Sequence, residues 1–466
     1  MKLIFSFILC TCITCFTFLM WSSHSPEALA AQPFTDEEIS MIRSLLNKEA
    51  EKVAAQKPFT EEEASKIRVL VKEEAEKAVA KQPFNEDETS TIRGFLAKLK
   101  NIEAGFFIEN YYQYESSDPN EGASNAIFTK VYEREENSFT LDKIEMWATK
   151  EPTEESPFGF YFSSWFGEVA QRLSPDGVGS LVAGASAVGR ADDDDFTIYQ
   201  AYVSWKIPIG KGLDVDFGRH VTWFGYELEE SHWNANWSRS LIFTFAEPAV
   251  HNGLILTYPV LDNLSVSAYF NNGSGQLVGG FVDNNEAKSF GYQFAYDFKA
   301  PILGDSTLVV NGMHGAELDN NNHDLRHWWD VWYEFTIADR ITSGTNVDWG
   351  TESGTNLRTS RLGKNAKWWG VSQVFKTEFT DWFELGLRGE YFWDQDGARA
   401  GIPGVSLAEF TSTFTFKPVG ENFIVRPELR WDKVVSSHGG TSKQFGDPKD
   451  LDSGNLTFAI AVTYEF

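Results

Sequence analysis

Between Gly225 and Val250 the chain carries Glu227, Glu229, Glu230 and Arg239, and Arg219 stands shortly before it. The same stretch holds Trp233, Trp237, Leu241, Ile242, Phe243 and Phe245, more apolar surface than a freely solvated loop would expose. Folding into an enclosed, water-lined space would bury it. Arg219 and Arg239 facing Glu227, Glu229 and Glu230 would then set a local field across a constriction and sort solutes by charge. The other reading of the two arginines is structural, as ion pairs that hold the segment in place. Asp192, Asp193, Asp194 and Asp195 form a second group, able to take Ca²⁺ or to bridge to lipopolysaccharide through divalent ions, or simply a solvated loop. His314, His323 and His327 fall close together without a fixed ligand spacing. No GxSxG, HExxH or phosphate-cradling glycine loop stands in a supporting context, so neither enzyme activity nor a cofactor is expected.

The elements that would position these residues are strands. Leu456, Phe458, Ile460, Val462, Tyr464 and Phe466 are apolar or aromatic, while Thr457, Ala459, Ala461, Thr463 and Glu465 are small or polar. That period of two gives one greasy and one wet face. The strand over Trp382–Asp394 puts Phe383, Leu385, Leu387, Tyr391 and Trp393 on one side and Glu384, Arg388 and Glu390 on the other. The strand over Phe423–Val434 opposes Leu429 and Trp431 to Arg426, Glu428 and Arg430. A charge on a lipid face near the membrane midplane costs about 2–4 kcal/mol, so these six charged residues are expected to face a lumen.

About sixteen such strands run from Gly105–Glu115 to Leu456–Phe466, the third spanning Phe158–Ala170 and the fifth Leu213–Phe224. Short links (Ile209–Gly212, Leu261–Asn263, Asp339-Arg340) take turns with long ones (Ser116–Ser138, Gln171–Asp195, Gly225–Val250). Transmembrane antiparallel β-barrels alternate in this way, with tight periplasmic turns and long external loops. The expected fold is therefore an all-β barrel over residues 103–466, with Phe466 as the signal that barrel-assembly machinery reads.

Residues 1–30 read as a secretory signal peptide: Lys2, an apolar run from Leu3 to Trp21, and small residues around Ala28-Leu29-Ala30. All three cysteines lie inside it, so thiolate chemistry is absent from the mature chain. Residues 31–102 hold three helical repeats of period 25, opened by Pro33-Phe34, Pro58-Phe59 and Pro83-Phe84. Each start carries a capping box: Thr35 with Glu38, Thr60 with Glu63, Asn85 with Glu88. The repeats would sit in the periplasm as a spacer, trimer support, cell-wall contact or solvated linker. The net charge of −27 lies almost wholly after residue 100 and argues against nucleic acid and for cations.

The stretch from Asp214 to Gly273 also resembles a known family. Gly218-Arg219, Trp223-Phe224-Gly225, Ser238-Arg239-Ser240 leading into Leu241-Ile242-Phe243, Glu247-Pro248, His251-Asn252-Gly253 and Asn272-Gly273 are similar to the putative β-barrel porin-2 (OmpL-like) family of bacterial outer-membrane porins. The family usually has Thr where Asn252 stands. The resemblance implies a passive diffusion channel in the outer membrane, and porins of this size are often homotrimers. The residues and the resemblance together give a channel for small hydrophilic solutes or ions, cation-preferring. The alternatives are a structural anchor tying the barrel to the cell wall through the repeats, or a substrate-specific channel.

Overall fold

The computed structural model describes residues 101–466 apart from segments 118–128, 174–195, 274–282, 355–364, 438–444 and 446–451 and single positions 134, 284, 319 and 403. Ile102–Phe466 forms one compact unit. The signal peptide and helical repeats expected from the sequence, and Asp192–Asp195, lie outside the described residues.

Sixteen strands form this unit. They are β1 (Glu103–Glu115), β2 (Ser138–Lys150), β3 (Phe158–Phe166), β4 (Phe196–Ile207), β5 (Leu213–Val221), β6 (Val250–Leu261), β7 (Leu264–Asn271) and β8 (Ser289–Ala300), then β9 (Gly304–Ala316), β10 (Leu325–Ile337), β11 (Ile341–Glu352), β12 (Ala366–Thr380), β13 (Phe383–Asp394), β14 (Val405–Phe416), β15 (Phe423–Ser436) and β16 (Gly454–Glu465). Each is hydrogen-bonded to its sequence neighbours, and β1 pairs antiparallel with β16 from Phe107↔Glu465 to Glu115↔Thr457, which closes the sheet into a barrel. Two short helices interrupt the links, α1 (Glu168–Leu173) and α2 (Leu241–Phe245).

Burial follows the alternation in the sequence. On β16, Leu456, Phe458, Ile460 and Tyr464 are exposed outside, whereas Thr457, Ala459, Ala461 and Thr463 are buried inside. On β13 and β15, Arg388, Glu390, Asp394, Arg426, Glu428, Arg430 and Asp432 are all buried. Trp205, Trp369 and Trp382, near strand ends, are exposed, where an aromatic girdle belongs. The tight link between β10 and β11 places Ala338 and Asp339 at φ 53° and 57°, the two left-handed residues whose twist suits a close antiparallel turn. At the seam, a Cβ on Gly105 would come within 2.6 Å of the Phe466 carbonyl oxygen, so only glycine lets the last residue lie there.

The third expected strand is too long. Gly167, at φ +110°, breaks it after Phe166, and Glu168–Leu173 becomes α1. The reason is burial: Val169 and Ala170 pack into an inner cluster with Trp165, Tyr199 and Phe243, which a straight strand could not reach. The fifth also stops early, at Val221 rather than Phe224, because Phe224 belongs to a segment that turns inward.

Candidate constriction inside the barrel

The segment between β5 and β6 folds into the barrel. It starts at Gly225, at φ +87°, where a Cβ would lie 2.2 Å from a Glu247 carboxylate oxygen. The Gly225 amide donates to Asp330 on β10 (3.3 Å), the Tyr226 amide to Asn346 on β11 (2.5 Å), and the Tyr226 hydroxyl to Glu334 on β10 (2.6 Å). After a 3₁₀ turn at Ser231–Trp233 comes α2, capped by Ser240, whose hydroxyl accepts the Phe243 amide at 3.0 Å.

The apolar side chains of the segment divide between neighbouring clusters. Leu241, Ile242 and Phe245 pack with Trp328, Trp368, Phe392 and Leu407 of the wall. Phe243 joins Tyr132, Trp165 and Tyr199, and Trp237 packs on Tyr111, Ala459 and Ala461. Trp233 is different: it stays 65% exposed, so its burial, expected from sequence, does not occur. The indole N–H groups of Trp328 and Trp368 both donate to the Ala246 carbonyl, at 3.0 and 3.1 Å. The Arg399 guanidinium donates to the carbonyls of Phe245 (2.5 Å) and Glu247 (2.9 Å).

Charged wall residues grip the backbone of the segment. Arg388 Nη1 lies 2.5 Å from Glu227 Oε1 and donates to the Ser238 carbonyl at 2.6 Å. Arg426 donates to the Ser231 carbonyl at 2.6 Å and to that of Asn234. Arg430 donates to the Arg239 carbonyl at 2.6 Å and to Asp432. The acids take the amides: Glu390 accepts from Leu241 (2.8 Å) and Ile242 (3.2 Å) at the start of α2, Glu428 from Trp237 (2.8 Å), and Glu227 from Ser240 (2.8 Å). Each of these is a charge-assisted bond in a buried setting. Glu384 stands apart, in an ion pair with Lys417 at the short-turn end of the wall.

Of the residues expected to face one another, Arg239 and Glu229 do meet, through the Glu229 carbonyl, and Glu227 meets Arg388 rather than Arg239. Arg239 Nη1 pairs with Glu133 at 2.9 Å, a residue of the β1–β2 link. Arg219 is on the wall, where Nε donates to the carbonyls of Ile198 and Tyr199 on β4, both at 3.1 Å. Arg219 therefore secures the β4–β5 pair. His314 and His327, opposite each other on β9 and β10, bring their Nδ1 atoms to 2.9 Å, while His323 is an exposed link residue. Among the described residues no group of three or more His, Cys, Asp or Glu is arranged to hold a metal. Sequence reasoning missed Glu133, Arg399 and Glu409. It also missed Trp328, which shares the face of Asp330 and so was open to the same alternation argument.

A family model described as putative β-barrel porin-2, OmpL-like, matches residues 101–466. No functionally curated protein matches the chain. The fold of this chain is similar to that of OmpF from Salmonella typhi, solved in complex with daunomycin, at 12% identity over 78% of this chain and 97% of that one, TM-score 0.52. It is also similar to an anion-selective porin from Comamonas acidovorans, at 9% identity over 78% and 99%, TM-score 0.52. Pseudomonas putida OprB, in a high-pH structure, is similar at 12% identity over 81% and 98%, TM-score 0.52.

Proposed function

The chain belongs to the putative β-barrel porin-2 (OmpL-like) family, and from that premise we propose that it is a passive outer-membrane channel for small hydrophilic solutes or ions, preferring cations. The family and the sixteen-strand barrel point to a channel rather than an enzyme. The observation that carries the proposal is the segment from Gly225 to Ala249, drawn into the barrel and fastened to β13 and β15 through Arg388, Arg426 and Arg430. Such a segment narrows a lumen that sixteen strands alone would leave wide.

Cation preference follows from charge balance. Arg239, Arg388 and Arg430 each sit against a carboxylate, which offsets their charge locally, while Arg426 is held by carbonyls. The chain as a whole carries −27. A solute passing the segment would meet a field dominated by acids. Glu227, Glu229 and Glu230 on the segment, with Arg239, are the side chains assigned to set it. Phe466 at the seam is the residue assigned to recognition by the barrel-assembly machinery, and a homotrimer is the assembly expected.

The deciding experiment is planar-bilayer recording on the purified protein under a KCl gradient. Discrete conductance steps with a reversal potential of the cation-selective sign support the proposal. An absence of conductance in folded protein refutes the channel, and a reversal potential of the opposite sign refutes the selectivity. Liposome swelling with and without residues 31–100 separates the channel from the anchor, since a channel swells vesicles in both forms.

A further inference from the structure

A cavity of about 270 Å³ opens on the inner wall, at the short-turn end of β2 to β6, and no residue of the inward-folded segment lines it. That is just below the range of ordinary small-molecule sites, about 300–1,000 Å³, so its occupant must be small. Tyr161 and Tyr202, directly opposite in register on β3 and β4, line it with stacked rings, their centroids 5.6 Å apart and planes 16° from parallel. Aromatic faces attract cations, best where water is partly excluded.

The charges around the rings do not cancel. Lys206 Nζ is taken up by Asp214, at 2.8 and 3.2 Å. Lys150 Nζ donates to the Ser156 hydroxyl (2.7 Å) and the Phe158 carbonyl (2.9 Å), which turns it toward the β2–β3 link. Asp216, hydrogen-bonded by Ser204, and Glu151 also line the cavity. Three carboxylates against two ammonium groups leave one negative charge beside two aromatic rings. An anion has no free guanidinium or backbone amide cradle here to bind, whereas an alkylammonium group has both a carboxylate and a π face.

We propose that this cavity is a binding subsite for small organic cations bearing an ammonium group, reached from the short-turn side of the lumen. It rests on the channel reading, because the subsite lies on the path that reading implies. An ammonium group would sit over Tyr202 with Asp216 as its counter-charge.

The test uses the full chain in planar bilayers with butylammonium chloride added to the short-turn side of a KCl-conducting channel. Mean current should fall in a saturable way, with xylitol at equal concentration without effect. Asp216→Asn should raise the half-blocking concentration about tenfold, and Tyr202→Leu should raise it as well. Equal block of Asp216→Asn and wild type, no block, or equal block by xylitol overturns the subsite while KCl conductance upholds the channel. Should no KCl conductance appear, the channel reading fails on its own. Calorimetric titration of the detergent-solubilised protein with butylammonium then decides the subsite: heat that is lost in Asp216→Asn supports it, and none in wild type overturns it.

Discussion

Replacing Arg388 with Met should loosen the inward segment and change how the barrel conducts. Arg388 is fully buried, and its guanidinium lies 2.5 Å from Glu227, 3.2 Å from Glu409 and 3.3 Å from Glu390. It also donates to the Ser238 carbonyl at 2.6 Å. Methionine keeps much of the stem but removes the charge, leaving three carboxylates facing one another and one carbonyl without its donor. Removing one partner of a buried pair costs about 3–5 kcal/mol. Water in the lumen favours the lower end. At about 1.4 kcal/mol per tenfold, even 3 kcal/mol makes the released segment more than a hundred times as populated. Single-channel recording should then show larger conductance steps and added low-frequency noise from the segment moving. Arg388→Lys keeps the charge and loses the fork, so its effect should be smaller. Heat-dependent gel mobility would establish that each variant forms a folded barrel. A folded Arg388→Met barrel with unchanged conductance and noise would refute the reasoning.

Arg239→Ala should shift the reversal potential further toward cations and raise current noise, because Glu133 is left without the guanidinium 2.9 Å away; an unchanged reversal potential would assign Arg239 a purely structural role. The Trp328→Phe, Trp368→Phe double variant loses both indole bonds to Ala246. At about 1 kcal/mol each it should unfold at a measurably lower temperature in circular dichroism melting, without loss of strand signal. Leu429, 45% exposed on the outer face, should tolerate Ile but lose about 2–4 kcal/mol as Lys if it lies near the membrane midplane, read from urea-dependent folding into lipid vesicles. Arg430, its buried neighbour, faces inward instead: Arg430→Leu should disturb conductance in planar bilayers through the lost bond to the Arg239 carbonyl.

The barrel was legible because a strand writes its two environments into alternate residues. Leu456 to Phe466, Phe383 to Asp394 and Phe423 to Val434 each separate lipid from lumen without help from any distant residue. The reading failed at Glu168–Ala170, where apolar Val169 and Ala170 continue the greasy composition but curl inward as a helix. Composition persists there while geometry changes. The inward segment was legible as a problem, since six large apolar residues needed cover, though Trp233 did not find it. Its solution was not legible. Arg388, Arg426 and Arg430 were placed on the correct face, but each grips the segment through a backbone carbonyl, which every residue carries and no sequence marks. Arg219 and Arg239 looked alike in composition, yet one secures a strand pair and the other reaches Glu133 across the fold. Distances of that kind depend on closure of the whole sheet.

That closure also dictates an order of events. The Phe106 amide donates to the Phe466 carbonyl and the Phe466 amide to the Phe106 carbonyl, at 3.0 and 2.9 Å, and at the opposite end of the same seam Lys130 ties Glu115 to Thr457. The partners of β1 on this side arrive at the far end of the chain. Until β16 arrives, that edge of β1 presents a row of unpaired amides and carbonyls, a template for pairing with the wrong strand. Contacts between such distant segments are slow to form because a very long loop must first be closed. The barrel therefore cannot close before β16 has been made. Its first strand keeps an open edge for as long as the last one is missing.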